Sequence, residues 1–213
     1  MIKDGNNFLT AGYSDGDKIF RMLNQNGDLI WEKSYEHPDA YSISKLTDGN
    51  FISIGGANSS IYANSLLKFN DRGEEIWNKN HKGFNVLAIS NNEFLALTYT
   101  GTDSGNLVRF DENGDVIWSK QLDNFRADVN KPSPISIFNY NMEYFICTYI
   151  NQSNNLNILV LDQHGTEINS HIIDDISGEY TLTSKTIDNG MLIVYSGLFN
   201  FGLIKLSNDF LFN

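Results

Sequence analysis

Short apolar runs alternate with polar turns along the whole chain, and this alternation predicts β-strands. The clearest stretch has runs at 41–46, 51–56, 65–69 and 75–79, separated by turns at Asp48-Gly49 and Asp71 to Gly73 and by one polar loop. Asp-Gly between apolar runs favours a tight hairpin, because glycine accepts the positive φ that the turn requires. None of the runs has the 3.6-residue period of a helix. The stretch therefore predicts four antiparallel strands.

The same four-strand pattern recurs five times. Its second strand is apolar on both faces, which is typical of a sheet packed between two neighbouring sheets. This strand recurs at 8–13, 51–56, 94–99, 144–149 and 191–196, and the third strand recurs at 19–23, 65–69, 107–110, 156–161 and 203–206.

All three tryptophans of the chain lie in a fourth strand, four residues after the glycine of the preceding turn. Consecutive tryptophans are about 40 to 46 residues apart, a period at which one repeat is a small antiparallel sheet and the whole is a β-propeller. We expect the tryptophans to be largely buried at equivalent positions and the glycines to shape the turns. These structural residues are Gly27 and Trp31, Gly73 and Trp77, and Gly114 and Trp118.

The pattern decays towards both ends of the chain. Asn169 and Phe212 stand at the tryptophan positions of the last two repeats, and only residues 1–3 are available for the first strand of the first repeat. The sequence predicts one all-β domain over 1–213, a five-bladed propeller whose first blade lacks most of its inner strand. The alternative is that the chain is a piece of a longer propeller.

The turn motif resembles the PQQ-like propeller repeat. Residues 111–118, Asp-Glu-Asn-Gly-Asp-Val-Ile-Trp, fit its D-x-x-G-x-x-x-W turn, and related bacterial repeats have a similar pattern. The resemblance implies the fold, with each tryptophan packed against the next blade. It implies little else, because the set of cofactor-binding residues found in quinone-dependent dehydrogenases is not matched here. We therefore expect no cofactor.

Composition excludes several classes of partner. A net charge of -11 and a sequence pI near 4.6 argue against binding to nucleic acid or to an anionic membrane, because phosphate repulsion would not be offset. A charged partner would be basic; the alternative is that the acidity only keeps the protein in solution. The single Cys147 and the lack of a signal-peptide pattern at the start predict a cytoplasmic protein. That inference fails if the chain was cut from a secreted precursor.

No residue pattern points to catalysis. The Asp111–Asp115 segment has the alternating oxygen-bearing side chains of a calcium loop, but it lacks the bidentate carboxylate at the loop end, and a hairpin turn explains the same residues. The four histidines are scattered, and no Gly-x-Ser-x-Gly elbow or phosphate-binding glycine loop is present. We expect no metal site and no enzyme.

A non-catalytic protein-binding module is the leading hypothesis, in particular an immunity or inhibitor protein against a basic toxin or effector. The alternative is a lectin-type propeller, and an enzyme is third. A lectin would repeat the same loop residues in each blade, whereas the loops at 14–17, 58–64, 100–106 and 151–155 share only a polar character.

Two further features suggest roles at the surface. Lys33, Lys79 and Lys120 lie two residues after each tryptophan, where a charge protects an exposed sheet edge from pairing. The longest link between repeats, 123–134, carries the candidate partner-binding residues Phe125, Arg126 and Asp128, since aromatic and arginine side chains are enriched in binding hot spots. The alternative is an ordinary surface loop with Phe125 folded back on a blade.

Overall fold

The structure of the protein is a computed structural model that describes residues 1–14, 17–35, 40–56, 65–100, 104–126, 136–140, 143–174, 180–186, 190–196, 201–207, 209 and 211. These residues are mostly β-strand. A short 3-10 turn lies at Ser90–Asn92, and Asp209 and Leu211 are helical. Among the residues described, no helix has the length and hydropathy that a membrane span requires.

The strands form five sheets, each in simple chain order. The first sheet contains β1 (Ile2–Asp4), β2 (Asn7–Ser14), β3 (Asp17–Leu23) and β4 (Leu29–Tyr35). The second contains β5 (Ser42–Lys45), β6 (Phe51–Ile54), β7 (Leu66–Phe69) and β8 (Glu75–Lys79). The third contains β9 (Gly83–Ala88), β10 (Phe94–Tyr99), β11 (Gly105–Phe110) and β12 (Val116–Leu122). The fourth contains β13 (Ser136–Tyr140), β14 (Tyr144–Ile150), β15 (Leu156–Asp162) and β16 (Glu167–Ile173). The fifth contains β17 (Tyr180–Lys185), β18 (Met191–Ser196) and β19 (Phe201–Leu206).

The strand assignments made from the sequence are confirmed for the first four repeats and for the first three strands of the fifth. The second strands β6 and β10 are buried along their whole length, as expected for strands covered on both faces. Gly49 and Gly73 have φ values of 89° and 73°, which are the positive values that these hairpin turns require. Residues 2–4 serve as a short first strand, with Ile2 opposite Leu9.

Contacts between residues divide the chain into two compact units. The first unit comprises residues 1–98 and 109–117, and the second comprises residues 99–108 and 118–213. The third sheet contributes strands to both units. The single domain over 1–213 stays a prediction.

Each unit has a core between consecutive sheets. We call the face of a sheet that points towards the next sheet in the chain its front face, and the opposite one its back face. In the first unit, Leu9, Phe20 and Met22 on the front face of the first sheet pack against the back face of the second, at Phe51, Leu67 and Phe69. In the second unit, Ile146, Ile158 and Val160 of the fourth sheet pack in the same way against Met191, Ile193 and Leu206 of the fifth.

The fifth sheet has three strands in the described part of the chain. Its third strand, β19, is followed by the helical residues Asp209 and Leu211, and Leu211 is buried in the core of the second unit. Phe212, which the sequence places at the tryptophan position of this repeat, lies outside the described residues.

Candidate functional site

The turns before the fourth strands are held by the same pattern of side-chain hydrogen bonds, which is repeated within each turn. Asp111 Oδ1 accepts hydrogen bonds from the backbone N–H groups of Asn113 and Asp115, each at 2.9 Å. Asn24, Asn70 and Asp162 do the same in their own turns. The hydrogen bond from the backbone N–H of Asp115 is the main reason that the pKa of Asp111 is lowered. The hydrogen bond from Asn113 lowers this pKa further, and burial opposes both. The oxygen atoms that resemble a calcium loop in the sequence therefore shape a turn.

Each tryptophan docks on the turn of the following repeat. Trp31 Nε1 donates to the Asp71 carbonyl at 2.8 Å, and Trp77 Nε1 donates to the Glu112 carbonyl at 3.1 Å. In the second unit, Trp118 Nε1 donates to the Gln163 carbonyl at 3.0 Å. The three tryptophans make equivalent contacts. Each is largely but not completely covered, because it lies in the outermost strand and packs on one turn.

The turn glycines make room for these rings. A methyl group at Gly114 would lie 2.9 Å from the Trp77 ring, and one at Gly73 would lie 2.9 Å from the Trp31 ring. No atom would lie within 4 Å of a methyl group at Gly27. Gly27 is therefore required only for its φ of 86°.

The lysines after the tryptophans also reach the next repeat. Lys79 Nζ lies 2.7 Å from Asp115 Oδ1, and Lys120 Nζ lies 3.1 Å from Glu167 Oε2. The Lys33 side chain lies beside Gly73. These lysines thus form part of the contact between repeats, in addition to carrying charge on an edge strand.

Asn169 keeps part of the docking interaction without an aromatic ring. Its Nδ2 donates to the Leu211 carbonyl at 3.4 Å, as the tryptophan nitrogens donate to the turns that follow them. Sequence reasoning noted only that the tryptophan is missing. The signal was available, since asparagine is a side chain of moderate size with an N–H donor.

Exposed isoleucines recur in the outer strands of four repeats. The residue before each tryptophan position is an isoleucine on the back face of its sheet, and each has an exposed acidic residue one or two positions before it. About half of each isoleucine side chain is accessible to solvent. We call Ile30, Ile76, Ile117 and Ile168 the outer-strand isoleucines; the acidic residues are Asp28, Glu75, Asp115 and Glu167.

The segment 123–126 differs from the predicted contact surface. Phe125 is completely buried, with its ring beside Tyr149 and against the Cα of Gly105. It cannot meet a partner there, so its prediction as a binding residue is wrong, and the alternative of a ring folded back on a blade is confirmed. Arg126 is exposed, and its guanidinium donates a hydrogen bond to Asn154. Asp128 lies outside the described residues.

The titratable groups in the described residues do not form a reactive cluster. Burial raises the pKa of the Cys147 thiol to about 12, which leaves it protonated and unreactive at neutral pH. Burial, followed by the charge of Lys79, lowers the pKa of His81. In the part of the chain that the structure describes, no three His, Cys, Asp or Glu side chains are grouped so that they could hold a metal ion.

The loops that would distinguish a lectin are only partly described. Residues 15–16, 57–64 and 101–103 lie outside the described residues. In the 151–155 loop, Asn151 Oδ1 accepts hydrogen bonds from the backbone N–H groups of Ser153 and Asn155, each at 3.0 Å. This oxygen is used by the turn itself.

Comparisons with known proteins give the fold. No protein-family model and no curated protein matches the sequence. The structure is similar to that of the Dos1 propeller, with a TM-score of 0.59 and 11% identity over 94% of this chain and 59% of that one. It is also similar to a protein from Lactobacillus plantarum, with a TM-score of 0.54 and 7% identity over 93% of this chain and 65% of that one.

These similarities show architecture only. The chain spans less than two thirds of the length of either structure. The resemblance of the turn motif to the PQQ-like repeat stays a prediction, since no family model matches. Repeated antiparallel sheets in chain order, together with the similarity to the Dos1 propeller, show that this all-β chain has a β-propeller fold.

Proposed function

We propose that the chain is a non-catalytic propeller that binds a basic partner protein, in the manner of an immunity or inhibitor protein. The observation that supports this proposal is the repeated, exposed isoleucine of the outer strands with its neighbouring acidic residue. Exposed apolar patches rimmed by polar residues mark protein-binding surfaces, and we infer that these isoleucines contribute to such a patch.

Charge favours a basic partner. The net charge is -11, and the acidic residues beside the outer-strand isoleucines are exposed. Opposite charge on a partner would accelerate encounter and exclude acidic competitors, while the isoleucines would supply the apolar contact. Arg126 stays a candidate contact residue, because it is exposed at the end of the 123–126 segment.

Capture from a lysate of the native cell, followed by a quantitative binding assay, tests the proposal. Threonine keeps the β-branch and the strand preference of isoleucine but removes apolar surface, so the triple variant Ile30→Thr, Ile76→Thr and Ile117→Thr should fold normally. We expect it to bind the captured basic protein at least about tenfold more weakly, which is about 1.4 kcal/mol.

The control is Ile172→Thr, at an isoleucine that is 61% exposed in β16 and does not precede a tryptophan position. Its affinity should equal that of the unmodified protein, and binding of both should fall with added salt. The proposal is overturned if the triple variant binds as tightly as the control. Saturable binding on a glycan array, unaffected by the triple substitution, would favour the lectin alternative.

A further inference from the structure

The outer strand of the fourth sheet, β16, lacks the lysine that the outer strands of the first three sheets share. Lys33, Lys79 and Lys120 each lie two residues after a tryptophan, whereas His171 lies two residues after Asn169, which stands at the tryptophan position. The strand reads Glu-Ile-Asn-Ser-His-Ile-Ile and contains neither lysine nor proline. These two residue types commonly keep an edge strand from pairing with another molecule. The sequence of β16 therefore permits a pairing that the other outer strands oppose.

One edge of β16 is open to such pairing in the part of the chain that the structure describes. The strand pairs with β15 alone, with Ser170 opposite Leu159 and Ile172 opposite Asn157. The Ser170 N–H donates to the side-chain oxygen of Asn169 at 2.9 Å, which places this N–H on the edge away from β15. Inward and outward N–H groups alternate along an antiparallel strand, so the Ile172 N–H lies on the same edge. A further strand would therefore meet backbone donors that are directed at it.

The exposed side chains of β16 are apolar on both sides of its centre. Ile168 is 49% exposed and Ile172 is 61% exposed, and the exposed Ser170 lies between them. Isoleucine has a strong strand preference, and cross-strand pairs of β-branched side chains stabilise a sheet. The edge thus fits an extended strand that places apolar side chains opposite these two isoleucines.

The residue pattern of β16 is complementary to its own reverse. If a second β16 runs antiparallel with Ser170 opposite Ser170, Ile168 of each strand lies opposite Ile172 of the other. Asn169 then lies opposite His171, so polar residues also face polar residues. A shift that puts His171 opposite His171 would place Ile172 opposite Ser170 and lose both isoleucine pairs. Such self-complementarity is what a two-fold symmetric contact requires.

The charges of β16 do not oppose this pairing. Glu167 lies opposite Ile173 in the same register, and its carboxylate is 3.1 Å from Lys120 Nζ. The two Glu167 side chains would lie at opposite ends of the contact. The net charge of -11 repels a second copy as a whole, and added salt screens this repulsion. Association of two copies should therefore strengthen as the salt concentration rises.

We propose that β16 pairs with β16 of a second copy of this chain, antiparallel and with Ser170 on the two-fold axis. The pairing joins two four-stranded sheets along their outer edges. Backbone hydrogen bonds across the edge supply the affinity, as in other strand additions, and the two isoleucine pairs set the register. The contact is closed, because both copies use the same surface.

The mass of the protein in solution is the first test. The unmodified chain of 24.1 kDa should have twice this mass by light scattering at high concentration and should dissociate on dilution. Ile172→Lys should raise the dissociation constant of the dimer at least about tenfold. His171→Lys, which restores the residue of the other outer strands, should raise it as well. The matched control is Ile76→Lys, at an isoleucine 48% exposed in β8, and its dimer should be as stable as that of the unmodified chain.

Crosslinking tests the register without a charge in the strand. Ser170→Cys places two thiols at the two-fold axis, and a short bifunctional maleimide should join them into a covalent dimer. The matched control is Ser119→Cys, since Ser119 follows Trp118 as Ser170 follows Asn169, and it should remain monomeric. Cys147 is buried and should react in neither variant. Circular dichroism and thermal melts check that every variant is folded.

Three results would overturn the proposal. One is a protein that is monomeric at every concentration. Another is a dimer that Ile172→Lys does not weaken although this variant is folded. The third is crosslinking through Ser119→Cys that is as efficient as through Ser170→Cys, and this comparison decides if Ile172→Lys fails to fold.

This proposal and the binding of a basic partner fail separately. Added salt should strengthen the dimer, whereas it should weaken binding of the basic partner. Ile172→Lys should leave binding of the basic partner unchanged, and Ile76→Thr and Ile117→Thr should leave the dimer unchanged.

Discussion

Glycine and tryptophan are coupled across successive repeats, so the same substitution has different consequences in different turns. Gly27 and Gly114 both have positive φ, at 86° and 74°. Only Gly114 also lies under an indole ring, that of Trp77. Both turns have the G-x-x-x-W spacing, and the difference comes from which repeats have a tryptophan before them.

Alanine at these two glycines measures the coupling. Gly27→Ala should lower the free energy of unfolding by about 1 kcal/mol, the cost of a left-handed conformation for a residue with a Cβ. Gly114→Ala should lower it by about 2 to 4 kcal/mol, because the methyl group also displaces the Trp77 ring. Urea denaturation of both variants checks this. Equal losses would contradict the docking of Trp77 on the Gly114 turn.

At the scale of elements, an asparagine or aspartate side chain holds the turn before the fourth strand in each of the first four repeats. The side chain is a neutral asparagine in two of these repeats and a charged aspartate in the other two. Asn24 and Asn70 accept the same backbone hydrogen bonds as Asp111 and Asp162. The charged versions respond to pH, since hydrogen bonds to the carboxylate lower the pKa of Asp111 and of Asp162. A carboxylate whose pKa is lower in the folded state stabilises the protein above its unfolded pKa, and this stabilisation is lost as the pH falls through the folded value.

Exchange of Asn and Asp between equivalent turns should therefore move the pH dependence. Asp111→Asn keeps the turn hydrogen bonds without a titrating group, so its unfolding free energy should fall less steeply than that of the unmodified protein below about pH 4. Asn70→Asp, the reciprocal control, should make the fall steeper. Denaturant melts from neutral pH to pH 2 measure both slopes; unchanged slopes would contradict the role of the carboxylate in the turn.

The 123–126 segment shows how burial reverses an expectation from sequence. A phenylalanine in a long polar link suggested a contact residue, but Phe125 packs on Tyr149 and fills the space above Gly105. Phe125→Ala should thus destabilise the fold by about 3 to 5 kcal/mol, as for other buried phenylalanines. Arg126→Ala is the surface control, with a change below about 0.5 kcal/mol. A Phe125→Ala melt that superimposes on that of the unmodified protein would restore its candidacy for a partner surface.

The sequence predicts this fold well because its signals are local. Hairpin turns such as Asp48-Gly49 and fully apolar second strands such as β10 determine the sheets without information from distant residues. The candidate site depends on contacts that sequence spacing does not contain. The exposure of Ile76, the burial of Phe125 and the exposure of Ile172 all depend on what packs against each side chain. Aligning the repeats shows which positions are equivalent, but it does not show which of them a neighbour covers.

For the whole molecule, thermal stability distinguishes a protein that binds only a partner protein from one that binds a metal or cofactor. A ligand that binds only the folded state raises its stability by an amount that grows with concentration. The oxygen atom of Asp111 that a calcium ion would need is held by two backbone N–H groups of its own turn. We expect thermal melts in calcium, in zinc and in the quinone cofactor PQQ to superimpose on the melt of chelator-treated protein. The basic partner, once captured, is the positive control, since it should raise the melting temperature as its concentration rises. A concentration-dependent increase with calcium or PQQ instead would contradict the non-catalytic proposal and make quinone-dependent chemistry the leading hypothesis.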